Sequence, residues 1–244
     1  MTTFKNIVAL QFSYFDNRYE ENFKKLSSYV KKAPKNSIVV APELSLSNFS
    51  FNDLKKASDF SKEIEDELLL LSRDKILCLS VVEEEDGLFY NRAKLYHNEK
   101  LIYQRDKYEL FKLGDEHKYF QKGKEEDIKI VEIEGIRYGV LICFEIRFIS
   151  LWEKLKGVDI LLVPALWGKP RKKQLNIIAN ALSVINQCFV VVANSANDDM
   201  AKNSLISSPF GEIYKDDRKS YLEMMIDLRE IKKMRKYLNV GIEC

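Results

Sequence analysis

GVLICFEIRF, residues 139–148, begins as an unbroken apolar run and then sets a thiol, a carboxylate and a guanidinium within five positions, at Cys143, Glu145 and Arg147. The run from Tyr138 to Ile142 has the composition of a strand covered on both faces, the pattern of parallel sheets sandwiched by other layers. Open α/β sheets gather their chemistry beyond the carboxyl ends of such strands, and Cys143 stands at that end. A free cysteine is by itself more often a small buried hydrophobe. What the other strand ends carry decides between the two readings.

Outward from this run, the pattern alternates. Downstream, the sequence predicts a helix over 148–156, the strand DILLVPAL (159–166), a helix over 171–186 and the strand CFVVVANS (188–195). LISSPFGEIY then places a Pro-Phe-Gly turn between two short strands, and YLEMMIDL (221–228) leads into a basic terminal helix. Upstream, IKIVEIEG alternates as a half-exposed strand does, and a polar loop spans 112–127. The N-terminal half opens with the strand IVALQFS (7–13), and Phe23, Leu26, Tyr29 and Val30 fall at helical spacing within 19–32. SIVVAPE (37–43) reads as another buried strand, and 53–73 as one long amphipathic helix. ILCLSVVEEE and LFYNRAKLYH flank Asp86-Gly87, a hairpin signal, with a further turn at 98–100. Strands alternating with helical crossovers in two halves, each finished by hairpins, predict an α/β fold of mixed sheets with helices outside. No linker rich in Pro, Gly or Ser divides residues 1–244, so a single domain is expected.

Bulk composition removes several classes. With 46% hydrophobic and 31% charged residues the chain falls outside the disordered, collagenous and membrane classes. Its first residues, MTTFKNIVALQFSYF, lack the regions of a signal peptide, and no apolar run reaches the length of a membrane span, so a cytoplasmic protein without a membrane partner is expected. Cys78, Cys143, Cys188 and Cys244 form no CxxC pair, and His97 and His117 are the only histidines, which argues for reduced thiols and against a metal site. Nothing calls for a cofactor. A net charge of +2 is too mild to suggest nucleic acid, and the basic runs KPRKK (169–173) and KKMRK (232–236) read as solvated faces.

Two further strand ends carry charge. In VVAPELSLSNF the apolar run meets Pro42 and Glu43, a carboxylate at the rim of a buried strand, costly there unless paired or functional. In LIYQRDKYELFKLGDEH, Lys107 is followed by the apolar Tyr108, Leu110 and Phe111. A salt-bridged glutamate and a surface lysine are the ordinary explanations. Taken together, APELSLSNF, RDKYELFKLGDEHKYFQKG and GVLICFEIRF resemble the nitrilase superfamily of carbon-nitrogen hydrolases, in which Glu, Lys and Cys occur in that chain order and context. The resemblance runs from the opening strand with Gln11 to the PFGEIY turn. It implies a four-layer αββα sandwich of two mixed sheets and hydrolysis of a small amide through a cysteine thioester.

Amide hydrolysis has use for these residue types. A thiol attacks carbon as thiolate, so a base must take its proton, and Glu43 fits if desolvation lifts its pKa. The developing oxyanion needs a positive donor in a dry site, which Lys107 supplies, together with the backbone N–H of Phe144. By resemblance Glu116 is the second glutamate that orients Lys107 and substrate, while Arg147 and Trp167 lie at the substrate. Glu145 reads as a structural brace paired with a cation. Arg147 is open between holding a substrate carboxylate and a structural ion pair. The chain departs from the family at Asn48, where glycine is common and a left-handed backbone would be tolerated, at Glu109, and at Asn180 and Ile185 on the helix before CFVVV. A Cys143–His117 pair is the rival chemistry, and a non-catalytic scaffold on the same fold the rival class. The compact KLGDEHKYFQKG loop resembles small amidases acting on ω-amides of dicarboxylic acids, with N-carbamoyl amines and aliphatic amides as alternatives, and the family resemblance implies a homodimer.

Overall fold

The computed structural model describes residues 3–242, so Cys244 lies outside the described residues. Strands numbered in chain order assemble into two sheets of six. In the first, β1 (Phe4–Leu10), β2 (Ser37–Val40) and β3 (Lys75–Glu85) run parallel. β4 (Leu88–His97) and β5 (Lys100–Asp106) continue antiparallel from β3. The second sheet contains β6 (Val131–Ile133), β7 (Ile136–Val140), β8 (Ile160–Ala165), β9 (Phe189–Asn194), β10 (Leu205–Ser207) and β11 (Ile213–Lys215), with β7, β8 and β9 parallel and the others antiparallel. β12 (Tyr221–Asp227) returns to the first sheet and pairs with β1.

The period-two geometry of a strand turns this order into layers. Ile7, Ala9, Ile38, Val40, Ile76 and Cys78 enter a core shared with Tyr138, Val140 and Leu162 of the facing sheet. Their neighbours Val8, Leu10, Val39, Leu77 and Leu79 point the other way, onto Leu26, Val30, Ala57 and Leu68. Those residues belong to α1 (Tyr19–Lys32), α2 (Leu54–Glu63) and α3 (Glu65–Leu71). Outside the second sheet, α5 (Ile149–Lys154) and α6 (Lys172–Ile185) follow a short α4 (Glu116–Tyr119), and α7 (Arg229–Tyr237) comes last. The result is the α/β sandwich of two mixed sheets flanked by helices that the sequence implies. Each aliphatic side chain so buried contributes about 1.5–3 kcal/mol, and both faces of the central strands are apolar for that reason.

Several boundaries differ from expectation. The helix over 53–73 is two helices, because Ile64 is buried with a backbone off the helical values, and Glu65, Asp66 and Glu67 supply a new acidic first turn. β1 starts at Phe4 and ends at Leu10, before Gln11, whose amide donates to the Lys219 carbonyl at 2.8 Å. The strand before Cys143 ends at Val140, and the thiol begins a tight 3-10 turn over Cys143–Arg147. The polar loop 112–127 contains α4 and two short 3-10 turns. Asn48 is left-handed, with φ 55°, as its place in the sequence suggests.

One close approach fixes the end of β5. Gly123 donates its N–H to the Lys107 carbonyl at 2.9 Å, and a Cβ there would run into the carbonyl oxygen of Asp106. Because the obstacle is backbone, Gly123→Ala forces a shift of the segment that presents Lys107, expected to cost about 1–3 kcal/mol in urea unfolding and to lower turnover. A variant as stable and active as the parent would show that this approach is not constraining.

Candidate active site

Three chain segments deliver charge to one buried place. Glu43 follows the fully buried β2 and is itself fully buried. Its backbone is clamped between the sheets: the N–H donates to the Ala165 carbonyl at 3.2 Å, and its carbonyl accepts from the Tyr14 hydroxyl at 2.6 Å. Lys107 follows β5, its N–H donating to the Asn91 carbonyl at 2.8 Å. Its fully buried Nζ donates to Glu43 Oε1 at 2.7 Å and to Glu116 Oε1 at 2.8 Å. Asn91 Nδ2 also donates to Glu43 Oε1, at 2.9 Å, while Glu43 Oε2 is buried without a hydrogen-bond partner among the described residues.

Electrostatics follow from burial and proximity. Burial opposes the charge of Lys107, but the carboxylates of Glu43 and Glu116 outweigh it and hold the ammonium pKa above its ordinary value. Glu116 is pushed up by burial, against the pull of Lys107 and with the help of Glu43. Its Oε2 accepts from the Phe111 N–H at 3.0 Å, which fixes α4 beside the cluster.

Cys143 lies in the field of the same groups. Burial and the charge of Glu43 raise its thiol pKa well above normal, with Lys107 opposing, so the resting sulfur is protonated. Sγ accepts from the Leu166 N–H at 3.3 Å. Its backbone is left-handed, φ 50°, a conformation that costs an L residue about 1–2 kcal/mol and that neighbouring structure must enforce. A buried carboxylate with a free oxygen, a neighbouring thiol and a fixed ammonium can together move a proton and steady an oxyanion.

The enforcing contacts centre on Glu145. Arg105 Nη1 donates to Glu145 Oε1 at 2.9 Å, and Arg105 Nη2 pairs with Oε2. The same carboxylate accepts from the N–H groups of Ile142 at 2.6 Å and Tyr108 at 2.7 Å, tying the Cys143 turn to the segment after Lys107. Phe144 packs its ring on Phe111 at 5.0 Å, and its amide lies in the first turn of the 3-10 segment, where N–H groups have no intrahelical partner. Arg147 stacks over the Trp167 ring at 4.6 Å and bonds Gln174. Among the described residues it makes no ion pair within 4 Å. His117 is exposed on α4, whereas the adjacent Glu116 turns into the cluster. Asn180, on α6, donates to the Gly211 carbonyl at 2.7 Å, a packing role.

Sequence reading missed Asn91, Tyr14 and Arg105. Asn91 alone left a signal, a polar amide inside a strand where Asn is disfavoured. No group of three or more His, Cys, Asp or Glu side chains among the described residues is placed to hold a metal. No helix among them is long and apolar enough to cross a membrane.

Burial raises the Glu145 pKa and Arg105, with the two N–H donors, lowers it further, for a net depression. The unfolded chain therefore binds more protons, and this stability is present above the unfolded carboxylate pKa of about 4.3 and lost as pH falls toward the folded value. Glu145→Gln is expected to cost about 3–5 kcal/mol at neutral pH, since Arg105 is left unpaired, with the deficit shrinking as acid is added. Urea unfolding of both proteins between about pH 6 and pH 3 checks it, a constant deficit being the contrary result.

Comparison with known proteins gives a consistent set of relatives. A family model described as carbon-nitrogen hydrolase matches residues 7–236. The chain is 28% identical to a 2-oxoglutaramate amidase of Bacillus subtilis over 96% of its own length and 95% of the relative's. It is 27% identical to the omega-amidase YafV of Yersinia enterocolitica, over 80% of this chain and 77% of that one. A CN-hydrolase superfamily protein from Xanthomonas campestris, solved with an arsenic adduct in its active site, superposes with a TM-score of 0.84 at 20% identity, covering 97% and 96% of the two chains.

Proposed function

The chain belongs to the carbon-nitrogen hydrolase family and is an amidase, and from that premise we propose that it cleaves the C–N bond of a small ω-amide through a thioester on Cys143. The observation that carries this reading is the buried Lys107 ammonium held by Glu43 and Glu116, with Glu43 Oε2 uncommitted and Cys143 in the same field. Cys143 Sγ attacks the amide carbon as Glu43 Oε2 takes the thiol proton. The tetrahedral oxyanion is steadied by Lys107 Nζ and the Phe144 N–H. Collapse breaks the C–N bond, Glu43 returns the proton to the leaving nitrogen, and ammonia departs. Glu43 then deprotonates a water that attacks the thioester carbonyl, and the acid leaves as sulfur regains a proton.

A substrate bearing a carboxylate away from its amide, a dicarboxylic or keto-acid ω-amide, is supported by the activities named for the amidase relatives. It is supported also by Arg147 beside Trp167, a cation that no carboxylate of the described residues neutralises. The scaffold reading leaves a buried, unpartnered carboxylate oxygen without a purpose, although such a group is costly. The chain is proposed to work as one domain in the reducing cytoplasm, in keeping with the free buried thiols of Cys78, Cys143 and Cys188. Pairing of two copies is supported by exposed Ile149, Ile177 and Ile185 on α5 and α6.

Ammonia release across ω-amides, neutral amides, carbamoyl amines and nitriles tests the reading. The ω-amides should give the highest kcat/KM, Cys143→Ala should abolish turnover, and Lys107→Met should lower kcat about a hundred- to a thousandfold. Faster turnover of a carbamoyl amine would favour that alternative. No turnover of any compound, with Cys143 alkylated no faster than Cys78 or Cys188, would favour the scaffold.

A further inference from the structure

The basic run KPRKK at 169–173 is not uniform in the structure. Lys169 and Lys173 are exposed, and Lys172 pairs with Asp217. Arg171 instead lays its guanidinium over the Phe111 ring, 5.1 Å from the centroid. The Phe111 ring in turn packs on Phe144, next to Cys143. A Cβ on Gly168 would come within 3.3 Å of Arg171 Nη2, so the absence of a side chain there leaves room for the guanidinium. The preceding residue, Trp167, carries the stacked Arg147. The stretch after β8 therefore brings the Arg171 guanidinium, and the Trp167 ring on which Arg147 of the Cys143 turn stacks, to the same side of that turn.

Neither is neutralised: among the described residues no carboxylate forms an ion pair with Arg147 or Arg171. Burial and then the charge of Arg171 lower the pKa of Arg147, the sign of two cations brought together without an anion between them. Arg171 also occupies the N-cap position of α6 without a side-chain capping bond, and positive charge there opposes the helix dipole, so its placement does not serve the helix. An anion between the two would turn their repulsion into attraction, and a guanidinium fork matches a carboxylate in two parallel hydrogen bonds.

We propose that Arg147 and Arg171 form a two-guanidinium clamp for the carboxylate of the substrate, with Arg171 the residue that separates anionic amides from neutral ones. This rests on the amide-hydrolase reading of the Cys143 site and adds Arg171 and the reason for charge selectivity to it. Aromatic walls from Phe111 and Trp167 hold the cations by their faces, and of the Arg147 edge Nη2 is engaged by Gln174 while the remaining donors face the ligand in the proposed clamp.

The test compares succinamate, the monoamide of a dicarboxylic acid, with butanamide, a neutral amide of the same chain length. In Arg171→Gln the ratio of their kcat/KM values should fall about ten- to a hundredfold, chiefly through the KM for succinamate, and Arg171→Lys should recover part of it. A second readout needs no turnover: succinate should protect Cys143 from iodoacetamide, and its half-protecting concentration should rise at least about tenfold in Arg171→Gln. An unchanged ratio and unchanged protection overturn the clamp while leaving amide hydrolysis intact, as does succinate failing to protect the unaltered protein. Protection that depends on Arg171, in a protein that hydrolyses neither amide, keeps the clamp and removes the hydrolase reading.

Discussion

An ammonium with no access to water stands at the centre of this structure. Removing such an ion from solvent costs several kcal/mol even after relaxation, and the cost is met only where carboxylates and hydrogen bonds replace the water. Lys107 has both, from Glu43 at 2.7 Å and Glu116 at 2.8 Å. Those partners arrive on a strand end and a one-turn helix, so the charges meet only when the first sheet and the loop after β5 are both in place. Two carboxylates around one ammonium leave a surplus of negative charge, and burial accordingly lifts the pKa of Glu116. Burial, and after it the charge of Glu43, also raises the pKa of the neighbouring thiol, which is why the proposed reaction transfers its proton as the bond to carbon forms.

A second buried pair does a different task. Arg105 and Glu145 are both fully buried, and neither is among the groups assigned to the reaction. Glu145 takes its hydrogen bonds from three chain segments, and Arg105 adds two to the Val140 carbonyl at the end of β7. A left-handed Cys143 is strained in isolation, and a turn anchored on both sides can hold it. The two ion pairs thus divide the work: one sets the charge around the sulfur, the other its position.

The outer cations show how the same residue type acquires different roles. Lys172 is matched to a carboxylate and Lys173 is solvated, whereas Arg171 turns back toward an aromatic wall beside the thiol. Composition treats the three alike. Arg171 has the bare Cα of Gly168 beside its Nη2 and the Phe111 ring beneath its guanidinium, and the Phe111 N–H is in turn held by Glu116.

Periodicity in the sequence determined the layers: alternation along β1, β2 and β3 sends successive side chains to opposite cores, and the order of strands and helices dictates two mixed sheets. Residue type at strand ends likewise singled out Glu43, Lys107 and Cys143, while Glu116 came from the family resemblance of the loop that follows. Tertiary structure alone decided the partners. Lys107 and Glu43 are 64 positions apart and Arg105 and Glu145 are 40 apart, and nothing local records which carboxylate meets which cation. The break at Ile64, the contribution of Asn91 and the inward turn of Arg171 belong to the same class. Local sequence sets backbone periodicity and the chemistry available at each position, while the meeting of distant side chains depends on how whole sheets pack, a property no short stretch of chain contains.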